Sequence, residues 1–338
     1  MLTPKQNLLE TLNLNGKADR LVNQYGPFSL IMSDPVYKFV RGNRVRGKTT
    51  KDIWGTEIVW PEDQHGAMPH VTKENKVLKD ITGCRELKVP DLAAAAEDPA
   101  LWEEALRDAA AVDRDQKLVM GFMGTGVFEQ LHFLMGFEDT LMNMLAEPEA
   151  MMDLLDIVGG YRFTYMKLLV DNLKPDIILS HDDWGTKNSM FMSPQVWREM
   201  IKPQYIKIYG YAKEHGVMVM HHADSFMEPI VEDMVELGID IWQGVLPQND
   251  IVKLQEQLKG RMTLMGGIDA AIVDRKDTPD DVIRAEVRRA CSTYGPGGGF
   301  IPCMTYGGPG SIFPNVDRIV SDEIDLYNRE VYGGSGGA

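Results

Sequence analysis

Cysteine is scarce: the 338-residue chain carries Cys84, Cys291 and Cys303 and no others, too few and too scattered for a disulfide framework. No apolar run approaches the ~18 residues a membrane helix needs, and the opening Met1 to Gln6 lacks the charged-then-apolar pattern of a secretory leader. These absences lead us to expect a water-soluble protein of a reducing cytoplasm, with no membrane role. Basic charge is in deficit as well, with 35 Lys and Arg against 50 Asp and Glu, a net charge of -15. Phosphate binding draws most of its affinity from counterion release by Lys and Arg, so nucleic acid is not an expected partner. One local exception is the run Lys38, Arg41, Arg44, Arg46, Lys48 and Lys51, readable as a solvated loop or as a surface for an acidic partner or substrate. No tandem repeat of 20 to 50 residues occurs, which sets aside solenoids and propellers. The glycine-rich stretch Gly121 to Gly126 lacks the Lys-Ser/Thr ending of a phosphate loop and the full dinucleotide pattern.

What the chain does have, from about residue 117 onward, is regular alternation of short apolar segments with amphipathic helical ones, the pattern of parallel strands joined by helical crossovers. Six strands are expected at 117–123, 176–181, 217–222, 239–245, 262–268 and 300–305, apolar at nearly every position and so buried on both faces. Ser193-Pro194 and Thr278-Pro279 read as helix starts, and Gly216, Gly238 and Gly260 as helix ends. With 28–33 and 57–60 completing eight strands, the fold class is α/β: a (β/α)8 TIM barrel in a single domain over 1–332. Residues 34–95, poor in periodic segments, are expected to form an N-terminal insertion lying over the barrel mouth, and 333–338 a flexible tail.

In such a barrel the functional groups stand at the carboxyl ends of the strands. Those ends carry His181-Asp182-Asp183-Trp184, His221-His222-Ala223-Asp224, Gly267-Ile268-Asp269, and Cys303 followed by Tyr306. Alternate strand residues point to opposite sides, so His222 and Asp224 share a face and His221 points away. His222 and Asp224 with Cys303 make a candidate zinc set, a mixed nitrogen, oxygen and sulfur site with an open fourth position. The plain alternative is a hydrogen-bonded His-Asp pair beside an inert buried thiol. Of Asp182 and Asp183, adjacent on one strand end, a single carboxylate can enter the pocket, as acid, base or orienting group. With His222, these aspartates and Tyr306 are the candidate catalytic groups. Met123, Glu129, His181, Trp184 and Asp269 are the candidate substrate contacts. The thioethers among 21 methionines suit either an adaptable pocket or core filling.

The motifs Phe128-Glu129 through Gly136-Phe137-Glu138, Asp182-Asp183-Trp184-Gly185, Ser193-Pro194, Lys202-Pro203, His222-x-Asp224, Gly266-Gly267-Ile268-Asp269 and Gly297-Gly298-Gly299-Phe300 occur in an order and spacing that resembles the uroporphyrinogen decarboxylase superfamily. The resemblance spans roughly 100–330, with Asp52-Ile53-Trp54-Gly55 extending it more loosely. Within that superfamily the chain looks most like the corrinoid-dependent methyltransferase branch, because the Arg-Gln-Ala-Gly-Arg segment of the true decarboxylases is missing.

The resemblance implies a (β/α)8 barrel and, from the Asp-Asp-Trp-Gly strand end, the methyl-donor-side enzymes of anaerobic aryl-ether O-demethylation. These move methyl from a small methoxylated substrate to the cob(I)alamin of a separate corrinoid protein, so cobalamin arrives on a partner. Family enzymes that use zinc often present His-x-Cys and a late Cys. Here His222 matches the histidine, Cys303 falls near the late cysteine, and Asp224 stands in place of the first cysteine. Other readings are a methylcorrinoid-to-thiol transferase of the coenzyme M type, a decarboxylase, or a barrel that binds a ligand without turning it over. Oligomeric state, including a homo-oligomer, is left open.

Overall fold

A computed structural model of the chain describes residues 1–64 and 66–333. Ten strands are present among them: β1 (Phe28–Ile31), β2 (Lys48–Lys51), β3 (Glu57–Trp60), β4 (Met68–Pro69), β5 (Leu118–Met123), β6 (Ile177–His181), β7 (Met218–His222), β8 (Ile241–Val245), β9 (Thr263–Ile268) and β10 (Phe300–Met304). Seven of them form one curled, wholly parallel sheet in the order β1-β5-β6-β7-β8-β9-β10. All six apolar segments from residue 117 onward are strands of that sheet, within two residues of the expected limits.

Each strand is apolar on both sides because each side meets a different core. Leu118, Met120, Ile177, Leu179, Met220, Ile241, Met265 and Ile301 project inward to a compact interior cluster. The intervening Val119, Ile178, Val219, Trp242 and Leu264 project outward into the larger layer between sheet and helices. This is the double burial that keeps parallel sheets from showing a polar face. The expected helix ends are present, with Gly216, Gly238 and Gly260 all at positive φ, a region where a β-carbon is strained. Ser193 caps its helix by accepting from the Val196 N–H, whereas the helix Asp280–Tyr294 has no side-chain cap, Thr278 bonding to the Arg275 carbonyl instead.

Two expectations need correction. The segment 57–60 is not a barrel strand: it is the middle of a separate antiparallel sheet, β2-β3-β4. Only Ile58 of its four residues is fully buried, as suits a partly covered ribbon and not a strand buried on both faces. Consequently seven barrel strands are found among the described residues. The segment leading into β1 and the helix Pro314–Val331 meet between β1 and β10, where Gln24 bonds Asp317 and Ser321 and its Oε1 faces the Met304 N–H. Of the tail expected at 333–338, residues 334–338 lie outside the described residues. No helix among the described residues is long and apolar enough to cross a membrane.

Candidate active site and metal centre

The carboxyl ends of β1, β5 and β6, with the loop Gly307 to Pro309 after β10, open into a cavity of about 610 Å³. Glu129, His181 and Asp183 line it from the strand-end side, Phe122, Phe133 and Tyr165 supply apolar wall, and Arg41, Arg44 and Ala67 to Pro69 reach it from the 35–69 segment. The small antiparallel sheet thus contributes directly to the cavity.

Strand register decides which groups reach it. His181 pairs with His222 across β6 and β7, and both continue the inward-facing rows Ile177, Leu179 and Met218, Met220. Their rings stack, with centroids 4.5 Å apart and planes 27° apart. His221, one residue out of phase, is turned to the helix layer, stacked on Trp184 at 4.2 Å and bonded through Nδ1 to the Tyr209 hydroxyl at 2.6 Å. Burial pushes its pKa down to about 3.

Both inward histidines are held by their Nδ1. The Gln243 amide nitrogen donates to the Met304 carbonyl at 3.3 Å, so its Oε1 faces His222 Nδ1, at 2.5 Å, and the proton of His222 sits on Nδ1. A bulge at Gly244 (φ +94°) shapes this contact: a β-carbon there would lie 3.0 Å from His222 Nδ1 and from the Ala223 carbonyl. Burial, then the neighbouring His181 charge, drives the His222 pKa well down. The ring is therefore neutral with an Nε2 lone pair to offer. On the other side, His181 Nδ1 meets Glu129 Oε2 at 3.0 Å. Burial acts against charging either group, but their mutual attraction prevails, holding His181 up at about 9 and Glu129 down at about 2.

Asp182 and Asp183 divide as neighbouring strand-end residues must. Asp183 enters the cavity, its Oδ1 accepting the Asp224 N–H at 3.0 Å. Burial first and the Asp224 charge second raise it to about 8, and burial raises Asp224 to about 6. Asp182 instead is fully buried and accepts four hydrogen bonds: from the N–H groups of Phe128 and Glu129, the Trp184 indole and the Tyr205 hydroxyl. It caps the helix Val127–Met135 and fixes the turn that carries Glu129. That turn demands glycine at 126, where a β-carbon would fall 2.0 Å from Asp182 Cγ.

The group His181, Asp183 and His222 brings one ligand atom from each residue to within 4.8 Å of the others, and it is the one set of this kind among the described residues. Both histidines have Nδ1 occupied by an oxygen partner, the outer-shell support that metal-bound imidazoles need, which leaves Nε2 as the ligand atom, on His181 once its proton is displaced. Two nitrogens and one carboxylate oxygen fit zinc with an open position.

Of the expected set His222, Asp224 and Cys303, the structure places His222 alone in this group. Cys303 belongs to the barrel interior, its thiol 3.8 Å from Gln24 Oε1 and raised well above its ordinary pKa by burial, so the sulfur is spent in the core. Asp224 stands behind Asp183, not in the group. Three expected contacts also lie elsewhere. Met123 and Trp184 are 0 % exposed in the outer layer, Met123 because Phe122 takes the cavity-facing parity. Asp269 caps the turn Ala270–Val273 through the Ala271 N–H. Tyr306 is half-buried, facing Asp274 and Asp224, and raised to about 12, chiefly by burial. Sequence reading missed Gln243, the tautomer-setting partner of His222, because a lone glutamine in an apolar strand looks like core; its alternation phase with Ile241 was the available signal. Arg44 and Arg41 were noticed as basic run, not as cavity wall.

Comparison with curated proteins gives no match. Among solved structures the chain is similar to a "methyltransferase from Methanosarcina mazei", with a TM-score of 0.65 and 19 % identity over 97 % of this chain and 100 % of that one; at that identity the likeness is one of fold. The family model for uroporphyrinogen decarboxylase (URO-D) matches residues 51–317, most of the chain and all of the strand ends just described. With a curled parallel α/β sheet and the His181, Asp183 and His222 group at its carboxyl rim, the protein belongs to the URO-D family, a family of TIM barrels.

Proposed function

We infer that the protein is a methyltransferase that takes a methyl group from a small methoxylated substrate, an aryl methyl ether, and passes it to the cob(I)alamin of a corrinoid protein. Family membership and the methyltransferase name of a fold neighbour support the class of reaction. The observation that carries the reading is the His181, Asp183 and His222 group, His181 and Asp183 at the cavity wall and His222 behind them, with both imidazoles pre-oriented by Glu129 and Gln243.

The chemistry makes one demand above others. As the methyl carbon bonds to cobalt, its C–O bond breaks, the electron pair stays on oxygen, and phenolate is a poor leaving group unless that oxygen is protonated or polarised. Zinc held by His181, Asp183 and His222 would supply Lewis-acid polarisation of the ether oxygen. The chain's own residues do the rest: Glu129 and Gln243 fix the rings, Asp224, which burial raises to about 6, is the carboxyl beside the group that can carry a proton, and Phe122, Phe133 and Tyr165 exclude water from the ring-binding wall. Thiol methylation of the coenzyme M type favours a sulfur-rich site, and no thiolate belongs to this group.

The test is incubation with reduced corrinoid protein and a panel of methoxyaromatics while cob(I)alamin is followed as it converts to methylcobalamin. Methylation by at least one aryl ether, lost in His222→Ala, is the expected outcome. No methylation across the panel would refute the donor-side role.

A further inference from the structure

The segment between β10 and the helix Pro314–Val331 crosses the rim directly over the histidine pair. Gly307 makes the closest approach: a β-carbon there would fall 2.9 Å from His181 Cδ2, 3.0 Å from His222 Cδ2 and 3.1 Å from His222 Cγ. Glu129 and Gln243 hold both rings in place, so the contact admits glycine and no larger residue. With Gly307 seated, His222 is 2 % exposed, and Gly307, Gly308 and Pro309 line the cavity on that side.

Little else holds this stretch down. Among the described residues, the main chain of 306–310 has one hydrogen-bond partner, the Tyr25 hydroxyl, which donates to the Tyr306 carbonyl at 3.3 Å. The next fixed point is the buried Asp274, which accepts the N–H groups of Ile312 at 2.8 Å and Phe313 at 3.1 Å; beside it, Ser311 Oγ accepts the Asp317 N–H at 3.1 Å. Between these anchors lie Gly307, Gly308, Pro309 and Gly310. A β-carbon at 308 or 310 would meet nothing within 4 Å, so no packing opposes a swing of this glycine-rich backbone. A segment with few hydrogen bonds and few packed side chains sits at the low end of local stability, and two firm ends around it are the build of a hinged lid. We propose that 307–310 is a strap that lifts between the Tyr25 and Asp274 anchors to uncover the imidazole edges of His181 and His222, and that metal and ligand exchange at the group through this opening.

What passes through the opening rests on the metal reading of the group; the movement does not, and its test needs no metal. Diethyl pyrocarbonate acylates neutral imidazole, and mass spectrometry of the metal-free full chain reads each histidine separately. His221 is a built-in control: it is neutral like His222 and 0 % exposed, but it faces the helix layer against Trp184 and Tyr209, where reagent arrives only when that layer unfolds. His222 is expected to react at least about tenfold faster than His221, because local opening outpaces global unfolding. Gly307→Ala wedges the strap off the rings and should raise the His222 rate about fivefold or more. Gly308→Ala, whose methyl group meets open space, should stay within about twofold of wild type, with His221 unmoved in both variants. His222 reacting as slowly as His221, or responding alike to the two alanines, overturns the strap. A repeat with added zinc separates the two readings: fast, Gly307-dependent modification that zinc does not slow leaves the strap standing and sinks the metal group, whereas zinc protection of a His222 indifferent to Gly307→Ala does the reverse.

Discussion

Asp182 offers the sharpest test of how the site is held. In Asp182→Asn the side chain keeps one acceptor oxygen where the wild type has two. Oδ2 accepts from the Phe128 N–H at 3.0 Å, the Trp184 indole at 2.8 Å and the Tyr205 hydroxyl at 2.7 Å, and Oδ1 from the Glu129 N–H at 3.0 Å. The amide therefore keeps its oxygen at the crowded Oδ2 position and sets its NH2 against the Glu129 N–H, donor facing donor, in a wholly buried place. An unsatisfied buried donor costs about 1–3 kcal/mol and weakened charge-assisted bonds add to it, giving about 2–4 kcal/mol in total. Unfolding entropy near 2.1 cal/mol/K per residue over 338 residues is about 0.7 kcal/mol/K, so the melting temperature should fall by about 3–6 °C. Calorimetry at pH 8 is the assay, since Asp182, raised to about 6 by burial and the Glu129 charge, is ionised there. Tyr205→Phe removes both the hydroxyl donor to Asp182 and the acceptor of the Val127 N–H at 3.2 Å, so it should cost a comparable amount. A melting temperature of Asp182→Asn within 1 °C of wild type would refute the idea that Asp182 is the keystone of this turn.

Zinc binding should be abolished in His222→Ala and unchanged in Cys303→Ser, read as metal stoichiometry by elemental analysis; loss of zinc in the serine variant would restore the sulfur to the ligand set. Gln243→Leu frees His222 Nδ1 from the Gln243 acceptor and should weaken zinc about 10–100-fold by chelator competition, an unchanged affinity meaning that the tautomer is set elsewhere. Because zinc takes deprotonated ligands, it must displace the protons that His181 and Asp183 hold below about 9 and about 8. Apparent affinity should therefore rise with pH from 6 to 9, steepest below 8, and a flat profile would contradict this ligand set.

Much of the scaffold is legible in the sequence because periodicity reports burial locally. A strand covered on both faces is apolar at every position, and six such segments from residue 117 onward became six strands of the parallel sheet. The segment 57–60 misled because four residues are too few to separate a doubly buried strand from a half-covered ribbon; only Ile58 is fully buried there, and its partners are β2 and β4. Within the site, strand parity alone put His222 inward and His221 outward, and required Asp182 and Asp183 to diverge.

What parity cannot supply is the identity of the neighbour across the barrel. Cys303 faces inward as His222 does, yet Gln24 occupies its sulfur, while His181 completes the histidine pair through the β6–β7 register. Which of the two aspartates enters the cavity was decided by the helix at 127–135, whose N–H groups claim Asp182. The sequence by itself determined the fold class, the rim on which the chemistry sits and the side each strand residue faces, since these follow from repeats of two and 3.6 residues along the chain. The tertiary structure alone decided the ligand group, the Gln243 and Glu129 supports and the placing of Arg41 and Arg44, because such contacts depend on which distant segments close the same few ångströms of space.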